Sequence, residues 1–296
     1  MPFEELFFGF LIALAVARFC RKRTLLRGLT VAGAVAAFVV AMTTAVPAWL
    51  CLLAGVGAWL VLALLAFAFL YFVCKAVDME TPQETDDKFY RTVMNLYIEA
   101  LKTLVGIRFT VTGAEKLPQE GRFLLVCNHL FLADPALLLN AFPKAELAFI
   151  TKQENEQMFI VGKLMHKILC QSLDRNNDRS ALKTILKCIQ LIKEDKVSIG
   201  VFPEGYTSKD GKVHPFRPGV FKIAQKTGVP IVVCTIQNTR SIFKNLARLK
   251  KTHVPLHLVD VIQPEMYAGK TTAEISDMVY ETMIADLGEE FRYTET

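Results

Sequence analysis

The feature that most limits how this chain can fold is an uncharged stretch, residues 28–74. As a single helix it would be about twice as long as the ~30 Å hydrocarbon core of a bilayer is thick. Pro47 interrupts the stretch, and the parts on either side, 28–45 and 49–73, each approach the roughly 20 residues that one crossing needs. The sequence therefore predicts a transmembrane helical hairpin over residues 28–74.

The preceding segment, residues 1–27, has an apolar stretch at 7–16 that is about half a crossing long, followed by a cluster of arginine and lysine. Because the charges follow the apolar residues, a signal peptide is not favoured, and we interpret 7–16 as an interfacial or short spanning segment. The positive-inside rule puts the cluster on the cytoplasmic side, and two crossings return the chain there. Residues 75–296 are thus expected to form a cytosolic domain on the cytoplasmic membrane.

Composition excludes several classes of function. The seven cysteines are scattered, without a CxxC pair or a Cys/His cluster, which indicates a reducing compartment and no metal site. The net charge of +5 suits an anionic membrane surface, and no interleaving of basic and aromatic residues favours nucleic acid. We expect a membrane partner and no nucleic acid.

Beyond residue 90 the hydrophobic periodicity alternates between that of helices and that of strands. Helices are predicted at 90–104, 135–141, 158–169, 180–193, 219–226 and 272–287, and strands at 108–112, 123–127, 147–151, 197–202, 230–236 and 254–261. This alternation predicts an α/β fold with a mostly parallel sheet flanked by helices.

The first polar stretch whose residues could take part in catalysis, Asn128 to Asp134, directly follows a predicted strand. In open α/β sheets, sites lie at the carboxyl ends of strands. His129 in such a loop can act as a general base, and Asp134 can hold its ring in one tautomer. Alternatively, His129 only satisfies local hydrogen bonds, and Asp134 followed by Pro135 is a helix N-cap with its first helical residue.

Two further stretches are candidates for ligand binding. Phe202-Pro203-Glu204-Gly205 also follows a predicted strand, so that Glu204 could bind a polyol hydroxyl while Gly205 lets the backbone approach the ligand. The alternative is a turn with a solvated acid. Arg175 lies in a loop after another apolar stretch, and its planar guanidinium suits a phosphomonoester unless it is only a surface charge.

These stretches, with Val229-Pro230-Ile231, occur in the order of the four motif blocks of glycerolipid acyltransferases, the family typified by 1-acylglycerol-3-phosphate acyltransferases. The sequence resembles that family over about residues 100 to 240. The resemblance implies a His129 base paired with Asp134, an acceptor phosphate bound by Arg175, and an acceptor glycerol contacted by Glu204 and Gly205.

The chain departs from the family pattern at one position. The third block usually continues Thr-Arg-Ser, whereas this chain reads Tyr206-Thr207-Ser208. Lys209, Arg217 or Lys152 could supply the missing charge, or the acceptor could carry a different head group.

The resemblance implies transfer of an acyl group from a thioester of acyl carrier protein or coenzyme A to lysophosphatidic acid, without metal or organic cofactor. No G-x-S-x-G elbow is present, so direct attack by the acceptor hydroxyl is expected. Three alternatives stay open: another acceptor such as glycerol-3-phosphate or a different lysolipid, a lipid or thioester hydrolase, and a catalytically inactive scaffold.

Overall fold

The computed structural model describes residues 48–174 and 178–294, and the chain divides into two compact units, Met1–Lys75 and Ala76–Thr296. In the first unit, helix α1 spans Ala48–Lys75. Its segment Leu53–Lys75 is long and apolar enough to cross a membrane, with a mean hydropathy of 2.5. Helix α1 matches the second half of the predicted hairpin, whereas the first half and residues 1–27 lie outside the described residues.

The second unit alternates strands and helices as the periodicity predicts. Its strands are β1 (Ile107–Thr112), β2 (Leu124–Cys127), β3 (Leu147–Lys152), β4 (Gln171–Leu173), β5 (Ser198–Val201), β6 (Ile231–Ile236) and β7 (Thr252–Ile262). Its helices are α2 (Lys88–Leu104), α3 (Asp134–Ala141), α4 (Phe159–Lys167), α5 (Asp178–Lys193), α6 (Lys222–Thr227), α7 (Ile242–Ala247), α8 (Pro264–Tyr267) and α9 (Thr272–Leu287).

Local capping explains where two of the longer helices begin. The carboxylate of Asp87 accepts hydrogen bonds from the backbone N–H groups of Phe89 and Tyr90, which would otherwise be unpaired at the start of α2. Thr271 and Glu274 form a reciprocal capping box at the start of α9. Helices α7 and α8 are not predicted from the sequence, because four to six residues are too few to display a helical period.

The seven strands form one sheet in the order β1-β7-β6-β2-β5-β3-β4. Every neighbouring pair is parallel except β6 and β7. The prediction of a mostly parallel sheet flanked by helices is therefore confirmed. Because β6, β2, β5, β3 and β4 run in one direction, their carboxyl ends all lie at the same edge of the sheet.

Helices cover both faces of this sheet. On one face, α5, α6 and α9 pack on the strands around a core that includes Leu124, Val126 and Ile199. Successive side chains of a strand point to opposite faces, so the equally buried Leu125 and Cys127 belong to the other face. Helix α2 contacts α3 and α4. Burial on both faces explains why the central strands read as continuous apolar segments.

Candidate active site

The loop after β2 brings His129 and Asp134 into contact. The Nδ1 of His129 lies 3.0 Å from the Oδ2 of Asp134, whose side chain is 0% exposed. The same carboxylate oxygen accepts hydrogen bonds of 2.7 Å from the backbone N–H groups of Leu130 and Phe131. Three donors thus converge on one oxygen, and they hold the loop and the imidazole in a single arrangement.

The alternative interpretation of Asp134 as an N-cap is wrong. Asp134 is the first residue of α3, the capping position is Ala133, and the carboxylate bonds backward to the loop instead of forward to the helix. Its other oxygen, Oδ1, is buried and has no hydrogen-bond partner among the residues that the structure describes. A buried carboxylate beside Nδ1 favours the tautomer with the proton on Nδ1, which leaves the lone pair on Nε2.

The other side of the His129 ring faces the loop after β5. The hydroxyl of Thr207 lies 3.2 Å from Nε2, and the Phe202 ring stacks on the imidazole with 4.2 Å between ring centroids. Phe149 stacks in turn on Phe202. The ring is therefore held on its flat face by packing and at both nitrogens by hydrogen bonds, which orients Nε2 for proton transfer.

Glu204, in the loop after β5, links that loop to the loop after β2. Its side chain accepts hydrogen bonds from the backbone N–H of His129 (2.9 Å) and from that of His214 (3.1 Å), and the residue is 1% exposed. The alternative of a solvated acid is therefore wrong. Burial raises the pKa of Glu204 to about 7, with added repulsion from Asp210 and Asp134, although the two backbone hydrogen bonds act in the opposite direction.

Gly205 lets an arginine approach the backbone closely. It has a φ of +81°, and a Cβ atom added there would lie 2.9 Å from the Nε of Arg217. The backbone N–H of Arg217 also donates to the carbonyl of Pro203. Arg217 is exposed, and none of the described residues forms an ion pair with its guanidinium, so this cation is available to an anionic ligand.

The remaining candidate cations are less closely connected. Lys152 is exposed at the carboxyl end of β3, paired in register with Leu173 of β4, at the same edge of the sheet as His129. Lys209 is also exposed, and its carbonyl accepts a hydrogen bond from Arg240. Arg175 lies outside the described residues. The structure thus joins His129, Asp134 and Glu204 in one network and Gly205 with Arg217 beside it.

Three residues of the site received no role from the sequence. Asn128 donates from Nδ2 to the carbonyl of Ile236 and accepts at Oδ1 from the N–H of the same residue, which ties the end of β2 to the end of β6. Thr207 bonds to His129, and His214 bonds to Asp210 at 3.0 Å. The signals available were the position of Asn128 directly before His129 and that of Thr207 where the family pattern has arginine, whereas no spacing marks His214.

Two other kinds of reactive group to consider within the described ranges are a metal-ligand cluster and an activated thiol. Residues 48–174 and 178–294 contain no group of three or more His, Cys, Asp or Glu side chains that could hold a metal ion. Burial raises the pKa values of the Cys127, Cys188 and Cys234 thiols well above the ordinary value, so that these thiols are poor nucleophiles.

Comparisons with known proteins find matches over the part of the chain that holds these residues. The profile of the acyltransferase family matches residues 108–237, from β1 to just beyond β6, a range that includes every candidate site residue. A 1-acyl-sn-glycerol-3-phosphate acyltransferase of Borreliella burgdorferi is 28% identical over 62% of this chain and 74% of its own length. The chain is thus similar to the glycerolipid acyltransferases in the part of the sequence that holds the candidate site.

Other family members extend the comparison. A 1-acyl-sn-glycerol-3-phosphate acyltransferase of Cocos nucifera is 26% identical over 64% of this chain, which spans about 61% of that relative's length. The crystal structure of the 1-acyl-sn-glycerophosphate (LPA) acyltransferase PlsC from Thermotoga maritima superimposes with a TM-score of 0.57 and 25% identity, covering 77% of this chain and 90% of that one. The relatives are named as O-acyltransferases, and the fold is that of the solved family member.

Proposed function

We propose that this protein transfers a fatty acyl group from an acyl thioester to the free sn-2 hydroxyl of lysophosphatidic acid, which gives phosphatidic acid. The observation that carries the proposal is the His129–Asp134 pair. In this pair the Nε2 of His129 lies within hydrogen-bond distance of the Thr207 hydroxyl. The names of the relatives support the acceptor.

In the proposed mechanism, the Nε2 of His129 takes the proton of the sn-2 hydroxyl as its oxygen attacks the thioester carbonyl carbon. Asp134 stabilises the imidazolium that forms. When the tetrahedral intermediate collapses, the C–S bond breaks and the leaving thiolate takes the proton from His129. A thiol with a pKa of about 8.5 leaves readily, so neither a metal nor an organic cofactor is required.

Cations at the carboxyl edge of the sheet would bind the acceptor phosphate. Arg217 beside Gly205 and Lys152 at the end of β3 are exposed, and Arg175 follows β4 in the sequence. A planar guanidinium can bind a phosphate through two parallel hydrogen bonds. Glu204 would hold the two loops that it joins in position and would also contact the acceptor glycerol.

The lipid substrates are insoluble, so the enzyme must work at a membrane. We propose that residues 28–74 anchor the chain as a hairpin, that 1–27 lie at the interface, and that the domain 75–296 faces the cytosol. The apolar segment Leu53–Lys75 supports a membrane anchor. The donor would be an acyl thioester of coenzyme A or of acyl carrier protein.

The test is transfer of radiolabelled acyl groups from each thioester donor, in detergent micelles, by the wild type, His129→Ala and Asp134→Asn. General-base catalysis contributes about 10²- to 10⁴-fold, and we expect both variants to lose at least about 10²-fold. His253→Ala is the matched control, because His253 is exposed and its side chain bonds only to Thr110 among the described residues. Its activity should equal that of the wild type.

Each outcome separates the competing functions. Thioester loss that does not depend on an acceptor would indicate a hydrolase, and the absence of both reactions would indicate a scaffold. Transfer to glycerol-3-phosphate or another lysolipid in preference to lysophosphatidic acid would replace the acceptor, an alternative that Thr207 at the usual arginine position favours. Full activity of His129→Ala would refute the assigned base.

A further inference from the structure

The segment that follows β6, residues 240–251, exposes apolar side chains to an unusual degree. It contains α7, which is held to the domain by the buried Ile242. On its outer side Phe243 is 60% exposed, Leu246 36% and Leu249 94%. A short segment with one buried anchor and three exposed apolar side chains has an apolar surface that the described residues leave largely uncovered.

Leu249 is unusual in backbone as well as in exposure. It directly follows Arg248, the C-cap of α7, with a φ of 53°, in the left-handed region where glycine or asparagine is normally found. Its N–H donates to the carbonyl of Leu246, and the N–H of Lys250 donates to that of Asn245. A leucine in this position is strained and gains no burial within the domain, which indicates that its side chain serves a contact outside the domain.

The charges of the segment define what that contact is. Between residues 211 and 259 the chain has no aspartate or glutamate, while residues 240–251 carry five cations: Arg240, Lys244, Arg248, Lys250 and Lys251. No acid in the described part of the chain forms an ion pair with Lys244, Arg248 or Lys250. Exposed cations around exposed phenylalanine and leucine are typical of elements that lie in the interface of an anionic membrane.

We propose that residues 240–251 form a membrane-docking surface that binds the headgroups of an anionic phospholipid bilayer. Lys244, Arg248 and Lys250 neutralise the headgroup charge. Phe243, Leu246 and Leu249 enter the boundary between headgroups and acyl chains. This contact is separate from the apolar segment Leu53–Lys75 and belongs to the domain itself.

The docking surface is connected directly to the catalytic loop. The ring of Phe131 packs edge-on against that of Phe243, with 5.1 Å between centroids. The N–H of Phe131 donates to Asp134, and Asn128 holds the end of β6 from which the segment departs. Binding of the surface to a bilayer therefore places the His129 loop next to the lipid.

An acidic protein is the competing occupant, because it would also match the cations. It would not explain the exposure of Leu249, since exposed lysines alone suffice to bind an acidic surface. The two occupants make different predictions about lipid contact, which a fluorescent reporter can measure.

The experiment uses the full chain with Trp49→Phe and Trp59→Phe, the two native tryptophans, and adds Leu249→Trp as a single reporter. The protein is reconstituted into phosphatidylcholine vesicles, with or without phosphatidylglycerol, that contain brominated acyl chains as quenchers. Met266→Trp is the matched control, since Met266 is exposed after β7, which runs antiparallel to β6 and so ends at the opposite edge of the sheet.

We expect quenching of the Leu249→Trp reporter to be at least about twofold stronger than that of the control, and to require phosphatidylglycerol. Added salt should reduce it in the otherwise unchanged protein, because salt screens exposed charges. Equal quenching of the two reporters would overturn the proposal. So would a shift of the reporter's emission on addition of acyl carrier protein with no bromolipid quenching.

Charge reversal provides an independent arm. Lys244→Glu with Arg248→Glu and Lys250→Glu should abolish the extra quenching of the reporter. The control is Lys183→Glu with Lys222→Glu and Lys226→Glu, which changes the net charge by the same amount at exposed positions of α5 and α6. This control should leave the quenching of the reporter unchanged. If both triple variants weaken quenching to the same extent, only net charge matters and the docking surface is refuted. Far-ultraviolet circular dichroism checks that each variant is folded, and the salt experiment needs no charge-reversal variant.

Discussion

The hydroxyl of Thr207 lies 3.2 Å from the Nε2 of His129, on the side of the ring opposite to the nitrogen that Asp134 binds. Hydroxyl, imidazole and carboxylate thus stand in the order of a serine-type triad. Two chemistries fit this order. Thr207 either occupies the position of the acceptor hydroxyl until substrate displaces it, or accepts the acyl group itself.

We predict that Thr207 is a placeholder and not the nucleophile. Thr207→Val keeps the shape of the side chain and removes the hydroxyl, so transfer by direct attack should change by no more than about threefold, whereas loss of a nucleophile removes several orders of magnitude. Steady-state transfer rates and protein-bound label after acid quenching are the measurements. A loss above about 10²-fold, together with acylated wild-type protein that the variant does not form, would make Thr207 the nucleophile.

A second prediction concerns the missing arginine of the third motif block. Thr207→Arg introduces a guanidinium next to His129, where the family resemblance expects one to bind the acceptor phosphate. A charge-assisted hydrogen bond contributes about 1.5 to 3 kcal/mol, so KM for lysophosphatidic acid should fall about tenfold or more. Thr207→Met is the control for side-chain length. A lower KM for an uncharged monoacylglycerol as well would show that phosphate is not what the new side chain recognises.

The third prediction is a pH dependence of stability that arises from Glu204. Its pKa rises from 4.5 to about 7 on folding because the side chain is buried. The folded chain therefore binds a proton that the unfolded chain has released between pH 4.5 and 7, so this contribution is complete below pH 4.5 and is lost as the pH rises through 7. At 1.36 kcal/mol per pKa unit the loss is about 3 kcal/mol.

Glu204→Gln should flatten this part of the stability profile. The measurement is the free energy of unfolding by denaturant, for the full chain in detergent, at several pH values between 4.5 and 7.5. The control Glu265→Gln changes an exposed glutamate of α8 and should keep the wild-type slope. If the free energy of unfolding changes by the same amount over this pH interval in the wild type and in the Glu204→Gln variant, the assignment is contradicted.

The fourth prediction tests the link between β2 and β6. Asn128→Leu keeps similar volume but leaves the N–H and the carbonyl of Ile236 without the partners that Asn128 provides. An unsatisfied buried polar group costs about 1 to 3 kcal/mol, so the variant should lose about 2 to 4 kcal/mol of unfolding free energy. Asn155→Leu removes a single part-buried side-chain hydrogen bond to Thr151 and serves as the control. Equal losses in the two variants would show that the link contributes little.

Several parts of the fold could be read from the sequence because each depends on a local pattern. Helix α9 begins and ends where the pattern predicts, at Thr272 and Leu287, because a capping box and a following glycine mark both ends. The central strands were visible as apolar segments because both faces of the sheet are buried. The motif loops after β2 and β5 were recognisable because their residues are adjacent in the chain.

The sequence by itself determined the α/β class and the apolar helix α1, which is the second half of the predicted hairpin, and its ordered motif blocks carry the resemblance to glycerolipid acyltransferases. Only the tertiary structure decided that Glu204 is buried beneath His129, that Thr207 faces Nε2, and that Asn128 ties β2 to β6. The physical reason is that β2, β5 and β6 are neighbours in the sheet although they are far apart in the chain. Contacts between their ends depend on strand order and direction, and no local periodicity encodes either of these.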